Sequence, residues 1–398
     1  MNVVKAYVYK LKTNLIIEDR FKQIAGCCRF VYNLFLNQCI QEYGTDFVSV
    51  SYYDQATQLP VLKDEFPWLG KCPSQSLQHA LKDLDMAFKH FFRRCRKGEK
   101  PGFPRYHKKS DKASFRYPQG VRVKDNRVYL PKVGWVRFFK SRDIVGIIKN
   151  TTIVRKADGW YVSFQTETTI PEPEHQSKTT VGIDRGVKHF AVCSDGTFID
   201  FPDTYDKHHK KLKVEQRKLS RKKKFSGNWY KKKDKVSELH YKLANIRNDF
   251  LHKTSTTLSK NHAVVVLEDL KVKNMSKSAK GTTDSPGTKV KAKSGLNRMI
   301  LKQGLYRFQA MLEYKQQYSG GAVLYVNPKN SSLKCSKCGH VSKNNRKSQS
   351  VFKCENCGHT ENADYNASVN ISMAVGHTVS ACGVDPLGIT VKQESPTL

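Results

Sequence analysis

Four cysteines constrain this chain more than any other residues: Cys335, Cys338, Cys354 and Cys357 form a C-x2-C-x15-C-x2-C pattern. Each C-x2-C turn sets two thiolates on one face of a knuckle, and two knuckles close a tetrahedral sulfur shell around Zn²⁺. Four thiolates leave no open position for water, so one structural Zn²⁺ is expected here, not a catalytic one. A lone carboxylate, Asp364, follows seven positions after Cys357. The other cysteines, Cys27, Cys28, Cys39, Cys72, Cys95, Cys193 and Cys382, show no paired spacing and read as buried or incidental thiols.

Charge narrows the partners. The 398 residues carry 70 Lys and Arg against 35 Asp and Glu, a net +35 that calls for a polyanion. No run approaches the roughly 18 apolar residues of a membrane span, and the start, MNVVKAYVYKLKTN, lacks the apolar core of a signal peptide. Nucleic acid is therefore the expected partner, with no membrane, in a reducing cytoplasm. The basic residues cluster: nine in 89–109, fourteen in 207–235 and nine in 271–302. Aromatics interleave the first run (Phe91, Phe92, Phe103, Tyr106), as a surface that follows a backbone and stacks on bases requires.

Periodicity divides the chain. Val3–Leu11 alternates as a strand, and RFKQIAGCCRFVYNLFLNQCIQEYG has helical spacing. Leu77, Leu81, Leu84, Phe88 and Phe91 repeat at 4-3-4-3, the core stripe of a small bundle. After the breaker KPGFPRY come two hairpins, turning at Asp125-Asn126 and Asp158-Gly159. The expected fold is multidomain α+β. Residues 1–11 and 101–172 form a split β-barrel interrupted by a helical insertion, 12–100, and PEPEHQSK (171–178) is the linker. An α/β domain follows over 179–330 and 360–376, with the cysteine module (331–359) inserted and a flexible tail at 377–398. Within it, 207–260 reads as a basic helical hairpin and Leu296–Tyr318 as one amphipathic helix with Ile300, Leu301, Leu305, Phe308 and Leu312 facing in. The composition of 281–295 is that of a mobile loop.

Three carboxylates stand at the ends of buried-looking elements: Asp184 after VGI, Glu268 after AVVVL, and Asp364 at a helix start. Strand ends are where open α/β sheets place functional groups. Three hard oxygen ligands suit Mg²⁺ or Mn²⁺, and a pair of such ions activates water and stabilises the leaving oxygen of a phosphodiester. Taken singly, each acid has an ordinary reading: Asp184 as a turn residue, Glu268 as a lysine partner, Asp364 as a helix cap. Asp269 rivals Glu268, but alternation sends the two to opposite faces.

VGIDRGVKHFAVCSDG, VVVLEDLKVKNM, the four cysteines and ADYNASVNI, in this order, resemble the transposon-encoded TnpB (OrfB) proteins, RNA-guided DNA nucleases akin to type V CRISPR effectors. RNDFLHK, GFPRYHKK and LPKVGWVRF extend the likeness over nearly the whole chain. The resemblance implies that Asp184, Glu268 and Asp364 are the metal-binding triad of an RNase H-like (RuvC) nuclease and that the cysteines hold a zinc ribbon against it. It makes the split β-domain wedge-like, the helical insertion a recognition lobe, and 271–297 a lid. It implies a guide RNA from the element's own end, one protein per RNA, and a double-stranded DNA target with a short flanking motif, read around Tyr52, Tyr53, Gln78 and Gln119; glutamine can read adenine bidentately. One departure stands out. Many relatives have Asp-Arg before the third acid, where this chain has Asn362-Ala363. Two other activities use the same parts: a DNA transposase with an RNase H-like triad, and a non-cleaving nucleic-acid-binding regulator with a zinc ribbon.

Overall fold

The computed structural model describes residues 1–46, 50–109 and 113–382. The chain divides into two compact units, Met1–Pro171 and Glu172–Leu398.

In the first unit, β1 (Asn2–Lys12) leads into α1 (Leu15–Asp46), α2 (Tyr52–Glu65), a 3-10 turn (Pro67–Lys71) and α3 (Ser74–Arg96). Six strands follow: β2 (Ser114–Tyr117), β3 (Arg122–Lys124), β4 (Arg127–Leu130), β5 (Gly134–Phe138), β6 (Ile147–Lys156) and β7 (Gly159–Thr169). They join β1 in one antiparallel sheet of order β2-β6-β7-β1-β5-β4-β3. β1 is central because it pairs with β7 through residues 2–10 and then passes to β5 at Leu11 and Lys12. The second hairpin turns one residue earlier than its sequence suggests, on Ala157-Asp158, with Lys156 opposite Gly159. Among the described residues the edge strands β2 and β3 are not hydrogen-bonded to each other; the Tyr117 hydroxyl of β2 donates to Pro131 O, in the turn between β4 and β5, at 3.3 Å.

The helices do not enclose a core of their own. Leu77, Leu81 and Leu84 are buried as the stripe predicts, but in a cluster continuous with Tyr9, Trp160 and Phe164 of the sheet. Phe21 of α1 is the joint, with ring centroids 5.7 Å from Phe115 and 5.1 Å from Trp160. A stripe records only that a face is buried, whereas what it is buried against depends on the fold.

The second unit is built on a sheet of order β10-β9-β8-β11-β12. Its strands are β8 (Thr180–Asp184), β9 (Ala191–Cys193), β10 (Phe198–Ile199), β11 (Val264–Glu268) and β12 (Ala322–Val326). β8, β11 and β12 are parallel, and β9 and β10 run back as a hairpin. Between strands lie α4 (Asp203–Ser220), α5 (Gly227–Asn261), the short α6 (Val272–Met275), α7 (Val290–Gln303) and α8 (Leu305–Ser319). β13 (Val351–Lys353) and β14 (Thr360–Asn362) form a hairpin in the cysteine module, directly followed by α9 (Ala363–Cys382).

Alternation sorts the sheet faces. Val181, Ile183, Val265 and Leu267 pack with Leu251 of α5 and Phe308 and Leu312 of α8. The intervening residues, beginning with Gly182, face α9. A Cβ on Gly182 would lie 2.3 Å from Ser368 O and 2.4 Å from Ser372 N, so only glycine lets the α9 backbone settle onto β8.

Three expectations are corrected. Leu296–Tyr318 is not one helix: Gly304, at φ 68°, ends α7 and starts α8. The break changes the phase, so Ile300, Leu305, Phe308 and Leu312 are buried while Leu301 is exposed. The region 281–295 is not loop throughout, since α7 starts at Val290. α9 extends to Cys382, past the expected start of the tail at 377; residues 383–398 lie outside the described residues. Among the described residues no helix is long and apolar enough to cross a membrane.

Candidate metal centres and nucleic-acid contacts

Asp184 and Glu268 are the last residues of adjacent parallel strands. The register pairs Leu267 with Ile183, so the next residues, Glu268 and Asp184, project together on the α9 side. Asp364 lies in the first turn of α9, which packs on that same face. Glu268 is buried, whereas Asp269 is exposed, with its N–H donated to Val326 O. The three acids are close enough to act on one another: burial, then repulsion by Glu268 and Asp364, pushes the Asp184 carboxyl up to about 7, against the pull of Arg346 and Arg185.

Several residues that hold this cluster are not apparent from the sequence. The Ser331 hydroxyl donates to Glu268 Oε1 at 2.6 Å. Buried Arg185 donates from one terminal nitrogen to the Glu268 carbonyl, and among the described residues its Nε and other terminal nitrogen have no hydrogen-bond partner. Arg346, from the cysteine module, pairs with Asp364 Oδ1 at 3.1 Å. Asn362 caps α9, its Oδ1 accepting from Asp364 N at 3.0 Å and Tyr365 N at 3.2 Å. The Asn362-Ala363 departure therefore leaves Asp364 supported: Asn362 fixes the backbone and Arg346 supplies the guanidinium.

The four thiols meet as the spacing predicts. The Sγ atoms of Cys335 and Cys357 are 3.7 Å apart, those of Cys338 and Cys354 3.6 Å, and all four lie within 4.8 Å of one another. A tetrahedron with Zn–S bonds of about 2.3 Å has edges of about 3.8 Å. The thiols thus fit one zinc ion. The His340 backbone N–H pulls the Cys338 thiol down to about 6, favouring the thiolate that a metal needs. Among the described residues no other group of three or more potential ligands closes to this degree, the three carboxylates included.

The module is clamped to α9 by two asparagines one turn apart. Asn366 accepts from Ser336 N and donates to Lys334 O, and Asn370 donates to Ser331 O and Lys334 O, all at 2.7–3.0 Å. Inside the module, buried Asn345 donates to Leu333 O and His340 O and accepts from Glu355 N. It fixes the turn that carries Arg346. A continuous set of bonds therefore runs from the knuckles to Ser331, which holds Glu268, and to the turn of Arg346, which holds Asp364.

In the first unit, Ser51 and Asp54 form a capping box that sets Tyr52 and Tyr53 in the opening turn of α2. Their rings are 5.3 Å apart, and Lys82 Nζ lies 5.4 Å from the Tyr52 centroid. Gln78 is exposed one turn before Lys82 on α3, so Tyr52, Tyr53 and Gln78 share a surface. Gln119 is exposed in the loop between β2 and β3.

Three family models match the chain: OrfB_IS605, described as "Probable transposase", over 163–279; a Cas12f1-like TNB domain over 306–371; and a helix-turn-helix domain of OrfB_IS605 over 1–46. InsQ of Escherichia coli, provisionally named an RNA-guided DNA endonuclease, is 46% identical over 99% of this chain and 98% of its own. The chain belongs to the OrfB (TnpB) family. A second relative, from Streptomyces pristinaespiralis and also provisionally named an RNA-guided DNA endonuclease, is 31% identical over 99% of this chain and 94% of its own. Two solved structures also align with this OrfB chain at low similarity. A Cas12f1–sgRNA–target DNA complex has 19% identity and a TM-score of 0.35, over 93% of this chain and 99% of its own. CasPhi-2 bound to crRNA has 13% identity and a TM-score of 0.42, over 94% and 98%. Neither likeness is close enough to carry an argument.

Proposed function

We infer that this chain is an RNA-guided DNA endonuclease of a transposable element, with Asp184, Glu268 and Asp364 as its catalytic carboxylates. The observation that carries the site assignment is their convergence, from two strand ends and a helix start, on the α9 face of the sheet. The strand order and the antiparallel hairpin at one edge suit an RNase H-like (RuvC) domain, the cysteine module a zinc ribbon, and the first unit a wedge-like barrel with a helical recognition lobe.

The donor set fits Mg²⁺ or Mn²⁺: hard carboxylate oxygens whose mutual repulsion a cation would relieve. Two such ions would supply activation of water and neutralisation of phosphodiester charge. The chain's own residues do the placing. Ser331 orients Glu268, Arg346 and the Asn362 cap orient Asp364, and Arg185 holds positive charge beside the cluster with two of its nitrogens unpartnered among the described residues. Specificity falls to base pairing between guide and target, beside a short flanking duplex motif read by the surface of Tyr52, Tyr53 and Gln78, with Gln119. One protein per guide RNA, in a prokaryotic cytoplasm at the nucleoid, completes the reading.

The test is cleavage of a matched duplex by the RNA-loaded protein. Asp184→Ala should abolish cutting while RNA and DNA binding survive; full-rate cutting by that variant would remove the triad assignment. The family model's description favours one second reading, a transposase. That enzyme would give strand-transfer products without RNA, whereas the guided nuclease is inert until its RNA is supplied.

A further inference from the structure

A cleft of about 490 Å³ opens in the first unit between α1 and the 3-10 turn Pro67–Lys71. Its volume falls within the roughly 300–1,000 Å³ of small-ligand sites. Arg20, Arg29 and Lys71 line it, with the rings of Phe30 and Trp68, and no carboxylate does. These cations lie outside all three basic runs of the sequence. The Arg20 guanidinium is held in place, donating from Nε to Lys132 O at 3.2 Å. Among the described residues Arg29 and Lys71 have no hydrogen-bond or ion-pair partner, so both cations are available to a ligand. Trp68 is 41% exposed, yet it is held at a steep angle to Phe30 (centroids 5.0 Å apart) and to Phe66 (6.1 Å). A partly exposed indole held by two neighbouring rings offers surface for stacking, and three cations around it are a phosphate cradle.

We propose that this cleft binds an unpaired nucleotide, the base stacked on Trp68 and the phosphate held by Arg20, Arg29 and Lys71. A base inside a duplex cannot enter such a cleft, so the ligand is a looped, terminal or displaced nucleotide of RNA or DNA. The assignment rests on the nucleic-acid side of the proposed function and is independent of cleavage.

The experiment uses the full chain and short mixed-sequence oligonucleotides carrying 5-iodouracil, in three arms: single-stranded RNA, single-stranded DNA and blunt duplex DNA. After irradiation, mass spectrometry locates the adducts. Adducts at Trp68 or Phe30 in a single-stranded arm, at least several-fold above the duplex arm, are expected, and the stronger arm identifies the source. Arg29→Ala with Lys71→Ala should cut that adduct several-fold. Trp68→Leu should abolish it and Trp68→Phe, which keeps a ring, should retain it, both with unchanged melting curves. Adducts confined to other segments, or equal in all three arms, overturn the cleft. Guided cleavage by the same preparations, scored separately, tests the nuclease reading: its failure with adducts intact would sink that reading and leave the cleft standing.

Discussion

Asp184 shows how one residue can carry a cost that its site exists to impose. Its carboxyl, lifted to about 7 by burial and two neighbouring acids, binds a proton more tightly in the folded chain than in the unfolded one. The sign follows from linkage: an acid with a raised folded pKa stabilises the fold at low pH, and that contribution is lost as pH rises from about 4 to 7. In metal-free protein, Asp184→Asn should therefore raise stability at pH 7.5 by on the order of 1–2 kcal/mol, allowing for solvent screening, with the gain vanishing near pH 4. Thermal melts across that range check it; a pH-independent difference would show that the carboxylate does not feel its neighbours. Arg346 belongs to the same balance, because its guanidinium competes with any cation for Asp364. Arg346→Gln should tighten Mn²⁺ binding to the free protein several-fold, measured by calorimetry. The positions of the acids were legible because each ends an apolar run or opens a helix. Arg346, Ser331 and Arg185 were not, because no local pattern marks a side chain whose partner lies 18 to 83 residues away.

Among elements, the α9–β8 contact decides where Asp364 sits. Gly182→Ala forces a methyl to within 2.5 Å of two α9 backbone atoms, and backbone cannot yield as a side-chain tip does. A loss of about 3 kcal/mol or more is expected, together with loss of cleavage, since α9 carries the third acid as it moves. Denaturant melts and a duplex-cutting assay read the two effects. Asn366→Ala should cost about 2 kcal/mol by leaving Ser336 N–H unpaired and Lys334 C=O with the Asn370 donor alone where the module meets α9. The strands and long helices of this unit were readable from their period. The α7–α8 break was not, because the apolar spacing runs on across Gly304 and only the left-handed turn there shows that the axis ends. In the first unit, the stripes on α1 and α3 were seen, but not that they and the sheet share a core.

For the whole molecule, two compact units with separate hydrophobic clusters should respond differently to loss of metal. Chelating zinc while keeping Mg²⁺ should unfold the cysteine module, whose own cluster is only Cys335, Phe352, Cys354 and Ala363. The expected result is an early partial transition in calorimetry and loss of cleavage, with the first unit's main transition unmoved. A single shifted transition for the entire chain would contradict it. The net +35 was the most direct reading of all at this scale, since it names a class of partner whatever the fold.

The hairpin of β13 and β14 runs into α9 without a spacer, so the path from Cys357 to Asp364 acts as a fixed ruler. One residue inserted there would break the register of β13 with β14 or the Asn362 cap, and would carry Arg346 of the module out of line with Asp364, which the packing of α9 on β8 holds in place. Tolerance to length change is thus one-sided: an insertion at the exposed step from Lys347 to Ser348 lies clear of Arg346 and its pair with Asp364, whereas one in the seven steps after the last cysteine does not.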